Sequence, residues 1–276
     1  MKKILILDGY NLIYRARYSG MNRGDYSTIF NFFRGLRPLI EKFNPDECYF
    51  VLEGMPKARL EANPDYKGQR VYTDTDNFGP QRKKIISMMK EYFPINVVRH
   101  SDYECDDVAN YIAQSNADQD VTIVSSDTDF IQTITDNIKL YNPVSKKFIE
   151  RFDYDYVSYK SLVGDKSDNI EGFKGIGPKK AETLITEASK LNDFLSSEEN
   201  KKKYENNYFM IKFHDLEEDA SNIESSLQKS PDWSSLKELF SQMEFNSIIG
   251  KEKTWNKYKN TFNNLERNIN VWASTG

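Results

Sequence analysis

Five short runs of apolar, β-branched or aromatic residues punctuate the first half of the chain: Ile4–Leu7, Cys48–Leu52, Ile95–Arg99, Val121–Ser125 and Ile138–Tyr141. Each has the length of a strand buried on both faces, and longer stretches separate them. Ile29–Phe43, Gln81–Tyr92 and Val108–Ala113 space their apolar residues three and four apart, the period of a helix that buries one face. Strands alternating with helices predict an α/β fold, a mostly parallel central sheet flanked by helices. Residues 54–80 break the pattern with Pro56, Pro64, Pro80 and scattered charge, and read as an excursion from the core. Past about residue 160 the chain turns helical, and 190–276 reads as amphipathic helices whose task is packing.

At 276 residues, 38% apolar and 13% aromatic, the chain can bury a substantial core. The apolar start Ile4–Leu7 ends at Asp8, too soon for a secretory signal, and no run approaches the ~18 residues of a membrane span. A cytoplasmic protein is expected, in the host cytoplasm if phage-encoded, with no membrane partner. Two cysteines, Cys48 and Cys105, and two histidines, His100 and His214, leave little for zinc or triad chemistry. Catalysis would have to run on carboxylates.

The acids fall where such chemistry would need them. Asp8 follows the first strand, Glu53 the second and Asp127 and Asp129 the fourth, while Glu104, Asp106 and Asp107 come shortly after the third. The carboxyl ends of parallel strands share one edge, where ligands bind. Asp127 and Asp129 alternate onto one side of an extended segment, Asp106 and Asp107 occupy a first helical turn, and Asp165 and Asp168 in a turn could close the site. Any one of these could be a cap or turn residue; their convergence is the signal. Such a cluster, read as lacking adjacent Arg or Lys, requires cations, and oxygen donors select Mg²⁺ or Mn²⁺. Two such ions suit phosphodiester hydrolysis, one activating water and one stabilising the leaving oxygen.

The net charge of −4 divides accordingly. Setting those nine acids aside leaves 33 of the 42 against 38 bases, a balance of +5 for the rest. Residues 54–91 hold eight bases, Arg59 among them, against five acids, a phosphate-steering surface if they flank a metal site.

Five blocks in order resemble the 5′-nuclease or flap-endonuclease superfamily: Leu7-Asp-Gly-Tyr-Asn-Leu-Ile-Tyr-Arg15, Tyr66-Lys-Gly-Gln-Arg70, Tyr103-Glu-Cys-Asp-Asp-Val108, Ile123-Val-Ser-Ser-Asp-Thr-Asp-Phe130, and Leu162-Val-Gly-Asp-Lys-Ser-Asp-Asn-Ile170 leading into Gly175-Ile-Gly-Pro-Lys-Lys-Ala181. Glu238–Asn246 looks like the family's late helix. Tyr141–Phe148 and Tyr208–Asp219 look most like the T-even phage ribonuclease H type, which removes RNA primers. The resemblance implies a PIN-like core over 1–160 with a helical arch at 54–92, a helix-hairpin-helix and C-terminal helical region over 161–250, and an extension over 251–276. It implies a first metal site from Asp8, Glu53, Glu104, Asp106 and Asp107, and a second from Asp127, Asp129, Asp165 and Asp168. Glu53 stands where many relatives have Asp and reaches one methylene further. Tyr66, Lys67 and Arg70 match the arch gateway, where the ring stacks near the scissile nucleotide and the two cations hold its phosphate as catalytic groups. Gly175, Gly177, Lys179 and Lys180 match the hairpin that grips duplex DNA, where family members also bind K⁺.

The expected function is a 5′-3′ exonuclease and flap endonuclease acting as a monomer on flaps, nicks and RNA primers in replication. Trp255 and Trp272 in the extension suggest a packed terminal helix, with a single-stranded-DNA-binding or other replication protein as the alternative contact. A haloacid-dehalogenase-like phosphatase would need Asp where Tyr10 stands. A toxin-type ribonuclease would be about half as long. A DNA-binding protein without activity would be expected to lack ligands, and none is missing.

Overall fold

The computed structural model describes residues 1–20, 24–70 and 77–273, with side chains through residue 268. Strands β1 (Lys3–Asp8), β2 (Glu47–Leu52), β3 (Asn96–Arg99), β4 (Asp120–Val124), β5 (Ile138–Asn142) and β6 (Lys147–Ile149) precede a two-stranded ribbon, β7 (Gly164–Asp165) with β8 (Ile170–Glu171), and a late strand β9 (Glu224–Leu227). The main sheet runs β6-β5-β4-β1-β2-β3-β9. Its five central strands are parallel, while β6 and β9 pair antiparallel at the two edges. The sheet is therefore mixed and mostly parallel. The edge strand β9 lies in the stretch expected to be wholly helical, a correction considered below.

Alternation along β1 divides the core. Leu5 and Leu7 point to one face with Phe30, Phe33 and Phe50, whereas Ile4 and Ile6 point to the other with Val51, Val108 and Ile123. Among the described residues, five helices cover the first half: α1 (Gly9–Arg17), α2 (Ser27–Phe43), α3 (Lys57–Ala62), α4 (Phe78–Tyr92) and α5 (Cys105–Gln114). Helix α2 runs through Pro38 and stops where Asn44 turns left-handed at φ 41°, its N–H bonded back to Ile40. Residues 71–76 of the arch segment lie outside the described residues.

The second half divides in space. Helices α6 (Tyr156–Val163), α7 (Pro178–Thr186), α8 (Ala188–Phe194) and α9 (Glu198–Ile211) build around Leu162, Ile176, Ala181 and Leu184. By contrast α10 (Trp233–Gln242), α11 (Asn246–Ile249), α12 (Glu252–Asn260) and α13 (Asn263–Ala273) return to the first face of the sheet. Trp255 is 5% exposed, and it joins Phe240, Tyr258 and Phe262 in the same cluster as Leu5 and Phe33. The terminal stretch is packed, as the helical reading expects; the side chain of Trp272 lies outside the described residues. No helix of the described residues is long and apolar enough to cross a membrane.

Candidate active site

Strand β1 has β2 on one side and β4 on the other, so the chain reverses its direction of travel across the sheet at β1. At such a switch point the strand ends open a crevice. Asp8 closes β1 and caps α1, accepting from Asn11 N–H at 3.1 Å and from Ser125 Oγ at 2.6 Å. Ser125 Oγ in turn accepts the Asp127 N–H at 3.0 Å, which ties the ends of β1 and β4 together. Glu53 follows β2. Gly54 behind it has no room for a side chain, since an added Cβ would lie 1.9 Å from the His100 carbonyl oxygen, and this close approach seats the β2 end against the loop leading to α5.

Glu104 caps α5, reciprocally with Asp107, and is buried. It accepts from Arg59 Nη1 at 2.9 Å and from the Tyr66 hydroxyl at 3.0 Å, and the Lys67 ammonium is in close contact. Asp8, Glu53, Glu104, Asp106 and Asp127 line one cavity of about 880 Å³ together with Tyr10, Tyr66, Lys67, Arg70 and Arg82. Beside it, oxygens of Asp129, Asp165 and Asp168 approach within 4.8 Å of one another, as do those of Glu104, Asp106 and Asp107. Asp127 and Asp129 do not share an extended segment: Asp127 caps a 3₁₀ turn over Thr128–Thr133 and accepts the Asp129 N–H at 2.9 Å.

Two further expectations differ from the structure. The acids are not without adjacent bases, because Arg59, Lys67, Arg70 and Lys160 all stand among them. Nor is Arg59 part of a steering surface. It is 2% exposed and donates to both Asp107 oxygens at 2.7 and 2.9 Å, to Glu104, and to the Met210 and Lys212 carbonyls. With His214 N–H also donating to it, Asp107 has both oxygens occupied, unlike Asp106. Tyr66 is 5% exposed, packed with Val157, Ile170 and Met210, and its hydroxyl bridges Glu104 and Asp168 at 3.0 and 3.2 Å. Its ring is a wall of the cavity and does not present an open face. Arg70 donates to Asp168 at 2.5 Å.

The electrostatics follow from burial. Glu53 is pushed up to about 7, first by burial and then by the Glu104 carboxylate. Burial likewise raises Asp8, and burial with Glu104 and Asp107 raises Asp106 well above the carboxylate range. Burial takes Asp129 to about 6 against the pull of Lys160. Asp165 is also penalised by burial, but hydrogen bonds from Lys160 and Ser167 outweigh it and hold the carboxyl low. For Lys67, burial favours the neutral amine, but Glu104 and Asp106 overcome it and keep the group protonated. Desolvated carboxylates crowded in one crevice, all oxygen donors, fit hard divalent cations. The Cys105 thiol, 3.6 Å from Asp8, is buried and held protonated by burial and by that carboxylate.

The hairpin residues lie apart from this cavity. Gly177 caps α7 without a side chain, Pro178 opens it, and Gly175 takes φ +78°, which favours glycine. Neither glycine has an atom within 4 Å of where a Cβ would stand, so the first N–H groups of α7, beside the exposed Lys179 and Lys180, can be approached closely. Of the residues around the two acid groups, Arg59 was misjudged and Lys160 missed; both lie in helical segments whose local pattern carries no sign of a partner.

The chain matches two family models, "5'-3' exonuclease, N-terminal resolvase-like domain" over residues 3–161 and "5'-3' exonuclease, C-terminal SAM fold" over residues 153–245. It is 28% identical to a 5'-3' exonuclease of Aquifex aeolicus, with 90% of this chain and 94% of that one aligned. It is 30% identical to DNA polymerase I of Borreliella burgdorferi over 93% of its own length and 31% of the polymerase's. Among solved structures, the fold is similar to the D15 flap endonuclease of bacteriophage T5 in a complex with DNA and metal ions, with TM-score 0.62, 18% identity, and coverage of 96% and 100%. It is also similar to the catalytic core of Rad2 with a DNA substrate, with TM-score 0.57, 19% identity and 90% of both chains covered. With more than half of its length matched by the resolvase-like model, this chain belongs to the 5′-3′ exonuclease family.

Proposed function

We propose that the chain is a Mg²⁺-dependent 5′-3′ exonuclease and structure-selective flap endonuclease that hydrolyses phosphodiesters at DNA flaps, nicks and RNA primers, as replication and Okazaki fragment processing require. The observation that carries this reading is the single cavity lined by Asp8, Glu53, Glu104, Asp106 and Asp127 alongside Lys67 and Arg70. Asp8, Glu53, Glu104 and Asp106 would hold one divalent ion, and Asp127, Asp129, Asp165 and Asp168 the second. Asp107 is assigned instead as the counter-charge of Arg59, because both its oxygens are engaged there. When bound, such ions supply a nucleophile at neutral pH and neutralise charge on the phosphate.

The chain's own groups do the rest. Lys67 and Arg70 hold the scissile phosphate and stabilise its growing negative charge, exchanging Glu104 and Asp168 for phosphate oxygens. The hydroxyl of Tyr66 keeps Glu104 and Asp168 in register while its ring borders the nucleotide. Water adds its oxygen to phosphorus, the bond from phosphorus to the 3′ oxygen breaks, and the products carry a 5′-phosphate and a 3′-hydroxyl. Gly175, Gly177, Lys179 and Lys180 grip duplex backbone at the start of α7, a contact blind to sequence, with K⁺ as the ion its carbonyls would take.

The test is cleavage of a labelled 5′-flap duplex and of a nicked RNA–DNA hybrid, with Mg²⁺ or EDTA, by wild type and Asp127→Ala. Asp127 is exposed, so its loss leaves the core intact. Metal-dependent products from the 5′ end that vanish in the variant support the reading. Tight binding without cleavage of either substrate overturns it.

A further inference from the structure

Lys160 extends from α6 into the second acid group. Its ammonium lies 2.7 Å from Asp129 Oδ1 and in closer contact still with Asp165, and all three side chains are no more than 15% exposed. The arrangement is built into the fold. Asp155 caps α6 through the Val157 and Ser158 N–H groups, Tyr204 donates to Ser158 Oγ at 2.6 Å, and Asn207 donates to the Ser161 carbonyl at 3.0 Å. Asp165 follows at the end of the same helix and is fixed by the Ser167 N–H at 2.7 Å. A braced two-turn helix thus sets the spacing between ammonium and carboxylate.

We infer that Lys160 is the resident counter-cation of the second metal site: it occupies Asp129 and Asp165 until a divalent ion displaces it, and so sets the ion concentration that this site requires. The inference rests on the ligand assignment proposed above. Ammonium and metal compete for the same two oxygens, and an ion that wins must still tolerate the displaced positive charge on a helix that cannot move far. In the first site the cations Arg59 and Lys67 pair with Glu104 alone, and among the described residues Glu53 and Asp106 have no ion pair, whereas in the second Lys160 spans two of the proposed ligands at once. The two sites therefore fill in order, the first before the second.

The test counts Mn²⁺ bound to the full chain without DNA, by electron paramagnetic resonance and calorimetry. Wild type is expected to show a tight and a weak class. Lys160→Met and Lys160→Gln should each tighten the weak class by about tenfold or more and leave the tight class alone, whereas Lys160→Arg should keep it weak. If Lys160→Met does not fold, Lys160→Gln, which keeps a hydrogen-bonding head, decides. A weak class unchanged or weakened in the folded neutral variant overturns the inference and leaves the nuclease reading standing. If wild type and Asp127→Ala bind no Mn²⁺ alike, the ligand assignment itself fails, and this inference with it.

Discussion

The two acid groups at the sheet edge solve the same electrostatic problem differently. Around the cavity, Asp8 is buried and Glu53 and Asp106 are half-buried, all three with their carboxyls pushed up, and among the described residues Glu104 alone of the proposed first ligands forms an ion pair. In the second group, Lys160 joins Asp129 to Asp165 and Arg70 holds Asp168, so most of the charge is balanced internally. On the proposed ligand assignment, a cation would relieve the crowding of the first group and would have to displace Lys160 from the second. Crowded acids alone therefore do not predict affinity; what counts is whether the fold already supplies the positive charge.

The largest effects should separate the groups by sign. Asp106→Asn removes a proposed ligand and should lower cleavage by about 10²–10³-fold, the scale of losing a preorganised electrostatic contact. The same change removes a carboxyl that desolvation and the neighbouring Glu104 and Asp107 make costly to ionise, so the metal-free protein should melt higher at pH 8. Asp165→Asn should also lower cleavage, but it strips a partner from Lys160, and the metal-free protein should melt lower, each shift on the order of 1 kcal/mol. Thermal unfolding in EDTA reads both. Shifts of the same sign would erase the distinction.

Arg59 tests whether the first group depends on a scaffold that sequence reading misjudged. Breaking a buried pair from one side leaves an orphaned charge, so Arg59→Ala should cost about 3–5 kcal/mol in a denaturant titration. Arg59→Met with Asp107→Leu should recover much of that loss. If the double variant is as unstable as the single one, the pair is not what Arg59 contributes.

How much of this was legible follows from where each signal resides. Strands β1 to β5 announce themselves because both faces are buried, as the unbroken run Ile4–Leu7 shows. β6 and β9 do not. They are three and four residues long, largely exposed, and extended because a neighbour offers free edge groups, so Ser225 and Ser226 carry no strand signal of their own and fall within a stretch that reads as helical. Most of the acids were legible because they follow a strand or open a helix, and Asp165 and Asp168 because they stand three apart in a turn. The bases among them were not: the partners of Arg59 lie 45, 48, 151 and 153 residues away, and no local pattern encodes such a contact.

Proton competition sharpens the comparison further. A Glu53 carboxyl raised from 4.5 to about 7 binds a proton in the folded chain that the unfolded chain has already released between those values. Its stabilising contribution is complete below about pH 4.5 and is lost as pH rises through 7, at most about 3 kcal/mol. Asp129, at about 6, has the same sign, and Asp165, held low, the opposite. Metal-free protein should melt lower at pH 8 than at pH 5.5, and a divalent ion should reverse this. Calorimetry at pH 6.5 in buffers of different ionisation enthalpy should find protons released as the tight ion binds. No release would mean that Glu53 and Asp106 already stand ionised and that the first group is not strained.

The smallest effect should come from outside both groups. Lys179 and Lys180 stand at the open start of α7, and neither lines the cavity. Lys179→Ala and Lys180→Ala should each weaken duplex binding several-fold and reduce the dependence of log K on log salt by about one, the signature of a single lost phosphate contact. With substrate saturating, kcat should stay at the wild-type value, because these groups act on ground state and transition state alike. Metal titrations on the two variants should match wild type in both classes. A fall in kcat with affinity intact would make the α7 terminus part of the reacting centre, and the separation between gripping duplex and cutting it would have to be abandoned.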